Sequence, residues 1–178
     1  MGKKSRAILW LVVGACLLLI LKQPVLAEEE KSALPAGLDL KVGEGPIQVS
    51  SKSLEWDHGG HKATFSQEVI ARQEDLEIHC DALIIHFNES DNDVTRLIAR
   101  GNVRIIQADR RAFCEEAVYD RSQNRIVLQG NPVLRQGPNE VKGERVIFYV
   151  SENRSVVDGG ESGRVKVTLI PEQGENGD

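Results

Sequence analysis

The stretch "AFCEEAVYDR", Ala112 to Arg121, sets a thiol, two carboxylates and a tyrosine side by side. A cysteine beside acids invites a nucleophilic reading, with Cys114 attacking and Glu115 or Glu116 assisting. Such catalysis needs one thiol with a depressed pKa and a base held against it. No histidine lies near Cys114 in sequence. His58 and His61 flank two glycines beside Asp57, a pair of potential metal ligands at a hairpin tip. A third ligand with recognisable spacing is missing, and zinc sites use three or four. Neither a phosphate loop, a dinucleotide fingerprint nor a nucleophile elbow is present. The expectation is a protein that is not an enzyme and uses no metal or cofactor.

The thiol makes more sense as part of a repeat. "CDALII" (Cys80–Ile85), "CEEAVY" (Cys114–Tyr119) and "GERVIF" (Gly143–Phe148) align, with "SKSLEW" (Ser51–Trp56) as a weaker first copy. The small residues fall at 51, 80, 114 and 143, in steps of 29, 34 and 29. Upstream of the last three copies, Val69, Val103 and Val133 each precede a glutamine, at Gln73, Gln107 and Gln136. A position that accepts Ser, Cys, Cys and Gly asks for small volume, as at a corner where a strand bends between two sheets. Matching positions of neighbouring units should lie two strands apart, roughly 9–10 Å. That exceeds the span of a disulfide, so Cys80 and Cys114 are expected as separate core residues, although a shifted register would bring them together.

The elements around these corners are strands. From Ile47 onward the chain reads as short alternating or β-branched runs: "IQVSS", "VIARQ", "LEIHC", "VRIIQ", "RIVLQ", "RVIFYV" and "RVKVTLI". Turn signals stand between them, in "DHGGH", "NESDND", "RGN", "QGN", "QGPN" and "DGGESG". The pattern predicts an all-β sandwich, barrel or roll built from repeats of about 30 residues.

The N-terminus sets the compartment. Lys3, Lys4 and Arg6 precede an apolar run from Ala7 to Leu21, then "KQPVLA" and "EEE". That order describes a secretory signal peptide over residues 1–27, cut between Ala27 and Glu28. The 15-residue run is short of the roughly 20 needed to span a bilayer. Retention as a membrane anchor is the main rival reading, and a lipoprotein box ending at Cys16 a second. Residues 28–45 read as a flexible lead-in, 46–171 as the domain and 172–178 as a polar tail. Loss of Lys3, Lys4, Arg6 and Lys22 leaves 18 basic against 27 acidic residues, a formal charge of −9. Such a domain repels a phosphate backbone, which excludes nucleic acid as a partner.

Strand alternation puts Leu83 with Ile85, Ala117 with Tyr119, Val146 with Phe148, Val103 with Ile105, and Leu76 with Ile78 on shared faces. These residues can fill a sandwich core or line an elongated apolar trough. Aromatic residues make up only 4% of the chain, so a trough would be aliphatic and suited to acyl chains, at about 0.8 kcal/mol per buried methylene. From the residues alone, both readings stand.

Residues from about Pro46 to Gln173 resemble the OstA-like family of LptA-type periplasmic lipopolysaccharide transport proteins. "PIQVSS", the "GNV" and "GNPV" entries, "VKGERVIFYV" and "RVKVTLIP" carry the likeness. The resemblance implies a V-shaped antiparallel β-jellyroll whose apolar groove shelters lipid A acyl chains. It implies copies stacked head to tail between LptC-like inner-membrane and LptD-like outer-membrane partners in the periplasm, powered by an ATPase at the inner membrane. Lipid contacts carried over to this chain fall on Ile47, Val49, Ile105 and Tyr119. With the alternating stripes, the expected groove lining is Ile47, Val49, Leu76, Ile78, Leu83, Ile85, Val103, Ile105, Tyr119, Val146 and Phe148. Ile105 is aliphatic where some relatives have an aromatic residue, and Arg121 is left out of the site. The segment "SQEVIARQ" lacks the Gly-Asn entry of the other copies, so its turn is expected to differ.

A roll that does not close leaves edge strands, here near Ile47–Leu54 and Val165–Ile170, and an unpaired edge is a template for another strand. The expected assembly residues are Ile47, Val49, Leu54, Val165, Val167 and Leu169. Pairing last strand to first is non-closing and produces filaments. Two alternatives remain open at this point: an LptC-like anchored protein of the same fold, and a structural β-repeat protein with a filled core and no ligand.

Overall fold

The computed structural model describes residues 45–90, 93–161 and 163–171. The expected signal peptide (1–27), nearly all of the lead-in and the tail (172–178) lie outside the described residues. Twelve strands follow in order: β1 Gln48–Ser50, β2 Ser53–Asp57, β3 Lys62–Gln73, β4 Leu76–Phe87, β5 Val94–Gln107, β6 Arg110–Asp120, β7 Arg125–Gln129, β8 Val133–Gln136, β9 Asn139–Lys142, β10 Arg145–Tyr149, β11 Arg154–Asp158 and β12 Lys166–Thr168. A single 3₁₀ turn, Val150–Glu152, is the one helical element among the described residues. Every pairing is antiparallel.

Strands β3 to β6 are long because each runs through a corner. The first half of β3 pairs with β2 and its second half with β1. Likewise the start of β6 pairs with β8 and its end with β7. The sheet therefore splits into two branches sharing β3, β4, β5 and β6. One branch runs β1-β3-β4-β5-β6-β8-β9-β12 and the other β2-β3-β4-β5-β6-β7-β10-β11. Their inward residues meet in one cluster, with Val69, Ala71 and Leu134 from the first branch against Leu83, Leu128 and Val146 from the second. This is the two-sheet antiparallel jellyroll expected from the sequence.

Bulges make the corners. Register shifts fall between Ser66 and Val69 and between Arg100 and Val103, where two residues oppose one on the neighbouring strand. Such an insertion bends the strand and sharpens its twist. At Gly101-Asn102 and Gly130-Asn131 both residues lie at positive φ. "RGN" is therefore not a turn between strands, as its composition predicts, but a bend inside the continuous strand β5. Gln67 and Glu68 adopt the same left-handed pair, at φ 67° and 53°. The segment without Gly-Asn thus makes the same corner, contrary to expectation, and the Lys52 amide holds it by donating to the Gln67 carbonyl at 3.0 Å.

The repeat's small residues sit where the strands turn. Cys80 is paired within the ladder beside the first corner and Cys114 beside the second. The acid that follows covers the corner glycine of the next strand: Asp81 lies against Gly101, Glu115 against Gly130 and Glu144 against Gly160. The order small-acid in the sequence is thus a device for crossing from one branch to the other.

Candidate functional site

The stretch that opened the question resolves first. Cys114 and Cys80 are both buried and both free thiols. They stand on β6 and β4 with β5 between them, the two-strand separation that forbids a bridge. Desolvation pushes the Cys114 thiol up to about 12, with the Glu116 carboxylate adding to the rise, and Cys80 up to about 11. A nucleophilic cysteine needs the opposite shift. Glu116 is engaged by Arg100 at 2.6 Å, and the Trp56 and His58 rings lie 6.0 Å apart at the β2 hairpin. Among the described residues, no group of three or more His, Cys, Asp or Glu side chains is placed to hold a metal.

What the roll does contain is an apolar cleft of about 70 Å³ between its branches. Ladder registry builds it. On the β1 branch one inward row runs Val49, Ala71, Ile78, Ile105, Ala112, Leu134, Val141 and Val167. On the other branch a facing row runs Trp56, Ala63, Ile85, Leu97, Tyr119, Ile126, Phe148 and Ser155. Period-two alternation points each row into the roll and its neighbours outward. Ile105 is 3% exposed, while adjacent Arg104 faces solvent.

Six expected lining residues border the cleft: Ile47, Leu76, Ile78, Leu83, Ile105 and Tyr119. The other five stand elsewhere on the same inner surface. Ile85, Val103, Val146 and Phe148 are buried in the packed core, and Val49 packs against it from β1. Sequence reasoning missed Ala71, Leu97, Ala99 and Ile126, and the polar pair Arg72 and Gln73 at the rim. Leu97 and Ala99 pair directly with Tyr119 and Ala117, so a cross-strand alignment of the repeats would have found them. The interior is thus part filled core and part open cleft, a mixture that neither simple reading described.

The inner surface does not stop at the ends. Leu54 (53% exposed) and Trp56 (48%) lie on the inward side of edge strand β2, with Ile47 beside β1. At the far end Val167 (53%) lies on the inward side of β12, with exposed Val165, Leu169 and Ile170 around it. Strands β1 and β12 each pair on one side only. Of the expected edge residues, Ile47, Leu54, Val165, Val167 and Leu169 are exposed, whereas Val49 is half-buried against the core.

Comparison with known proteins agrees with this architecture. The chain is similar to the crystal structure of LptH from Pseudomonas aeruginosa, described as the LptA-homologous periplasmic component of the conserved lipopolysaccharide transport device. The two share 18% identity at a TM-score of 0.63, over 72% of this chain and 97% of that one. At that identity the likeness speaks to the fold. A search of curated proteins found no match. The family model for "LptA/(LptD N-terminal domain) LPS transport protein" matches residues 48–154, from β1 into β11. Over that span, with two bent branches around an apolar cleft, the chain belongs to the LptA/LptD N-terminal-domain family of lipopolysaccharide transport proteins.

Proposed function

We propose that this protein carries lipopolysaccharide across the periplasm, sheltering the lipid A acyl chains between its branches and performing no chemistry on them. The observation that carries this reading is the continuity of the inner surface. It is apolar along both facing rows up to Ser155 on β11, opens into a cleft, and emerges at both ends as exposed Leu54 and Trp56 on one side and Val167 and Leu169 on the other. Large apolar groups left in water at an open strand edge mark an interaction site.

A second copy adding its β1 to a free β12 would cover those side chains and join the two troughs. Heterologous pairing of this kind repeats without closing. The product is a filament long enough to connect an LptC-like partner at the inner membrane with an LptD-like partner at the outer one. Acyl chains then move along a continuous aliphatic lining, held by burial rather than by fixed charge contacts. Every methylene contributes about 0.8 kcal/mol wherever it sits, so the lining holds the lipid without trapping it at one position.

The direct test is titration of the exported, purified protein with lipopolysaccharide, followed by native mass spectrometry. The expected result is a saturable complex, competed by acylated lipid A and not by the deacylated sugar. Absence of a complex at micromolar lipid, with the protein folded, overturns the proposal.

A further inference from the structure

The branch that carries β2 holds a second hollow on its outer face. It measures about 210 Å³ and lies over strands β5, β6, β7 and β10. Ladder register builds it, as it builds the cleft. One outward line, Val118, Val127 and Ile147, makes an apolar floor. The wall on one side is Arg96, Asp120 and Arg125, and the wall on the other is Glu116, Gln129 and Arg145. Alternation turns the chain neighbours of the first wall, Leu97, Tyr119 and Ile126, to the opposite face, where they border the cleft. Cleft and hollow thus stand back to back on the same three strands.

Charges around the hollow do not cancel. Glu116 is held by Arg100 at 2.6 Å and Arg145 by Asp158 at 2.9 Å, so that wall is satisfied. On the facing wall Asp120 accepts from the Ser122 hydroxyl at 2.6 Å and the Gln123 backbone amide at 3.3 Å. Arg96 and Arg125 flank Asp120 in register, yet neither guanidinium makes an ion pair among the described residues. The Arg125 Nε is buried without a hydrogen-bond partner. Two guanidiniums against one carboxylate leave a net positive charge. A buried donor without an acceptor is destabilising, and an anion in the hollow would relieve both conditions.

We infer that this hollow binds a phosphate group, clamped between Arg96 and Arg125. The two side chains start on β5 and β7, roughly 9–10 Å apart across β6. Long guanidinium arms close that span around one small anion. A phosphate monoester offers three terminal oxygens, enough to accept from both planar forks, whereas the two oxygens of a carboxylate match one fork. The aliphatic floor gives the uncharged body of an ester a surface to lie on. The ligand chemistry is therefore phosphate, either free or carried on a sugar or lipid head. This site lies outside the trough and does not rest on the trough's being filled.

The test is an NMR titration of the exported, purified protein at constant ionic strength, following the arginine Nε–H resonances. Three probes are added separately: inorganic phosphate, glucose 1-phosphate and glucose. Both phosphates should shift the Arg96 and Arg125 signals saturably, and glucose should shift neither. Tighter binding of glucose 1-phosphate supports a phosphate carried on a larger head, and equal binding supports free phosphate. Arg96→Gln and Arg125→Gln should each weaken the phosphates about tenfold. Arg125→Lys, which keeps the charge and loses the fork, should weaken them nearly as much. Arg111→Gln, on the outer face of the other branch, should leave both affinities within about twofold. No saturable shift with either phosphate overturns the inference. So does an equal response to glucose, or a loss in Arg111→Gln as large as that in Arg125→Gln.

Discussion

The side-chain amide of Asn102 donates to the Asp81 carboxylate at 2.8 Å, tying the bend of β5 to the corner of β4. Asn102 and the preceding Gly101 both sit at positive φ, 49° and 74°. A Cβ added at Gly101 would stand 2.9 Å from the Asp81 Cβ, so the corner is closed to any larger residue. The same juxtaposition of acid and glycine recurs at Gly130 with Glu115 and at Gly160 with Glu144, where the chain crosses between the branches.

Gly101→Ala should therefore lower stability by roughly 3 kcal/mol, from left-handed strain plus displacement of Asp81. Gly137, at φ 53° with nothing within 4 Å of an added Cβ, bears the strain alone. Gly137→Ala should cost about 1–2 kcal/mol. Urea midpoints of the two variants give the comparison, and equal losses would remove the corner argument.

The cysteines yield a pH prediction. Both thiols titrate higher in the folded state than the ordinary value of 9.0, because burial disfavours the thiolate. A group with a raised folded pKa contributes stability fully below its unfolded pKa, and that contribution fades as pH climbs toward the folded one. Stability should thus be flat with respect to these groups at pH 7–8 and fall above pH 9. In the double Cys→Ala variant the fall should be shallower. Thiol reagents at pH 8 should label neither residue until denaturant is added.

Core and cleft residues should respond differently to truncation. Leu128 is fully buried in the packed part of the interior, and Leu128→Ala should cost about 3 kcal/mol. Leu76 borders the cleft and is only partly buried, so Leu76→Ala should cost about 1 kcal/mol. A Leu76 variant as damaged as the Leu128 one would mean that the cleft is ordinary core.

If copies join head to tail as proposed, growth depends on the exposed edge at β12. Sedimentation velocity across a range of concentrations should show larger species for the unaltered protein. Val167→Lys, which places a charge on that edge, should leave a monomer with an unchanged circular-dichroism spectrum. A single species for the unaltered protein at all concentrations would contradict the filament.

Much of the framework is legible in the residues themselves. The spacing of residues 51, 80, 114 and 143 located the corners, since a bend between sheets tolerates only small side chains whatever their chemistry. Alternation placed Ile105 inside and Arg104 outside. Other features depend on cross-strand relations that no single stretch displays. "RGN" has the composition of a chain reversal and instead bends one strand, because a bulge and a turn both call for left-handed residues. Gln67 and Glu68 carry no such signal, and neighbouring strands impose the conformation on them. Leu97, Ala99 and Ile126 reach the cleft through registry with Ala117 and Tyr119, which emerges only once the ladder is assembled.

The most direct measurement places a photo-reactive residue at Ile105, and separately at Arg104, in cells making lipopolysaccharide. Ile105 points into the cleft and Arg104 away from it on the same strand. Lipid crosslinks at Ile105 with none at Arg104 are the predicted result. Absence of lipid at Ile105 in a folded, exported protein, or equal crosslinking at both positions, would contradict a lipid-filled trough.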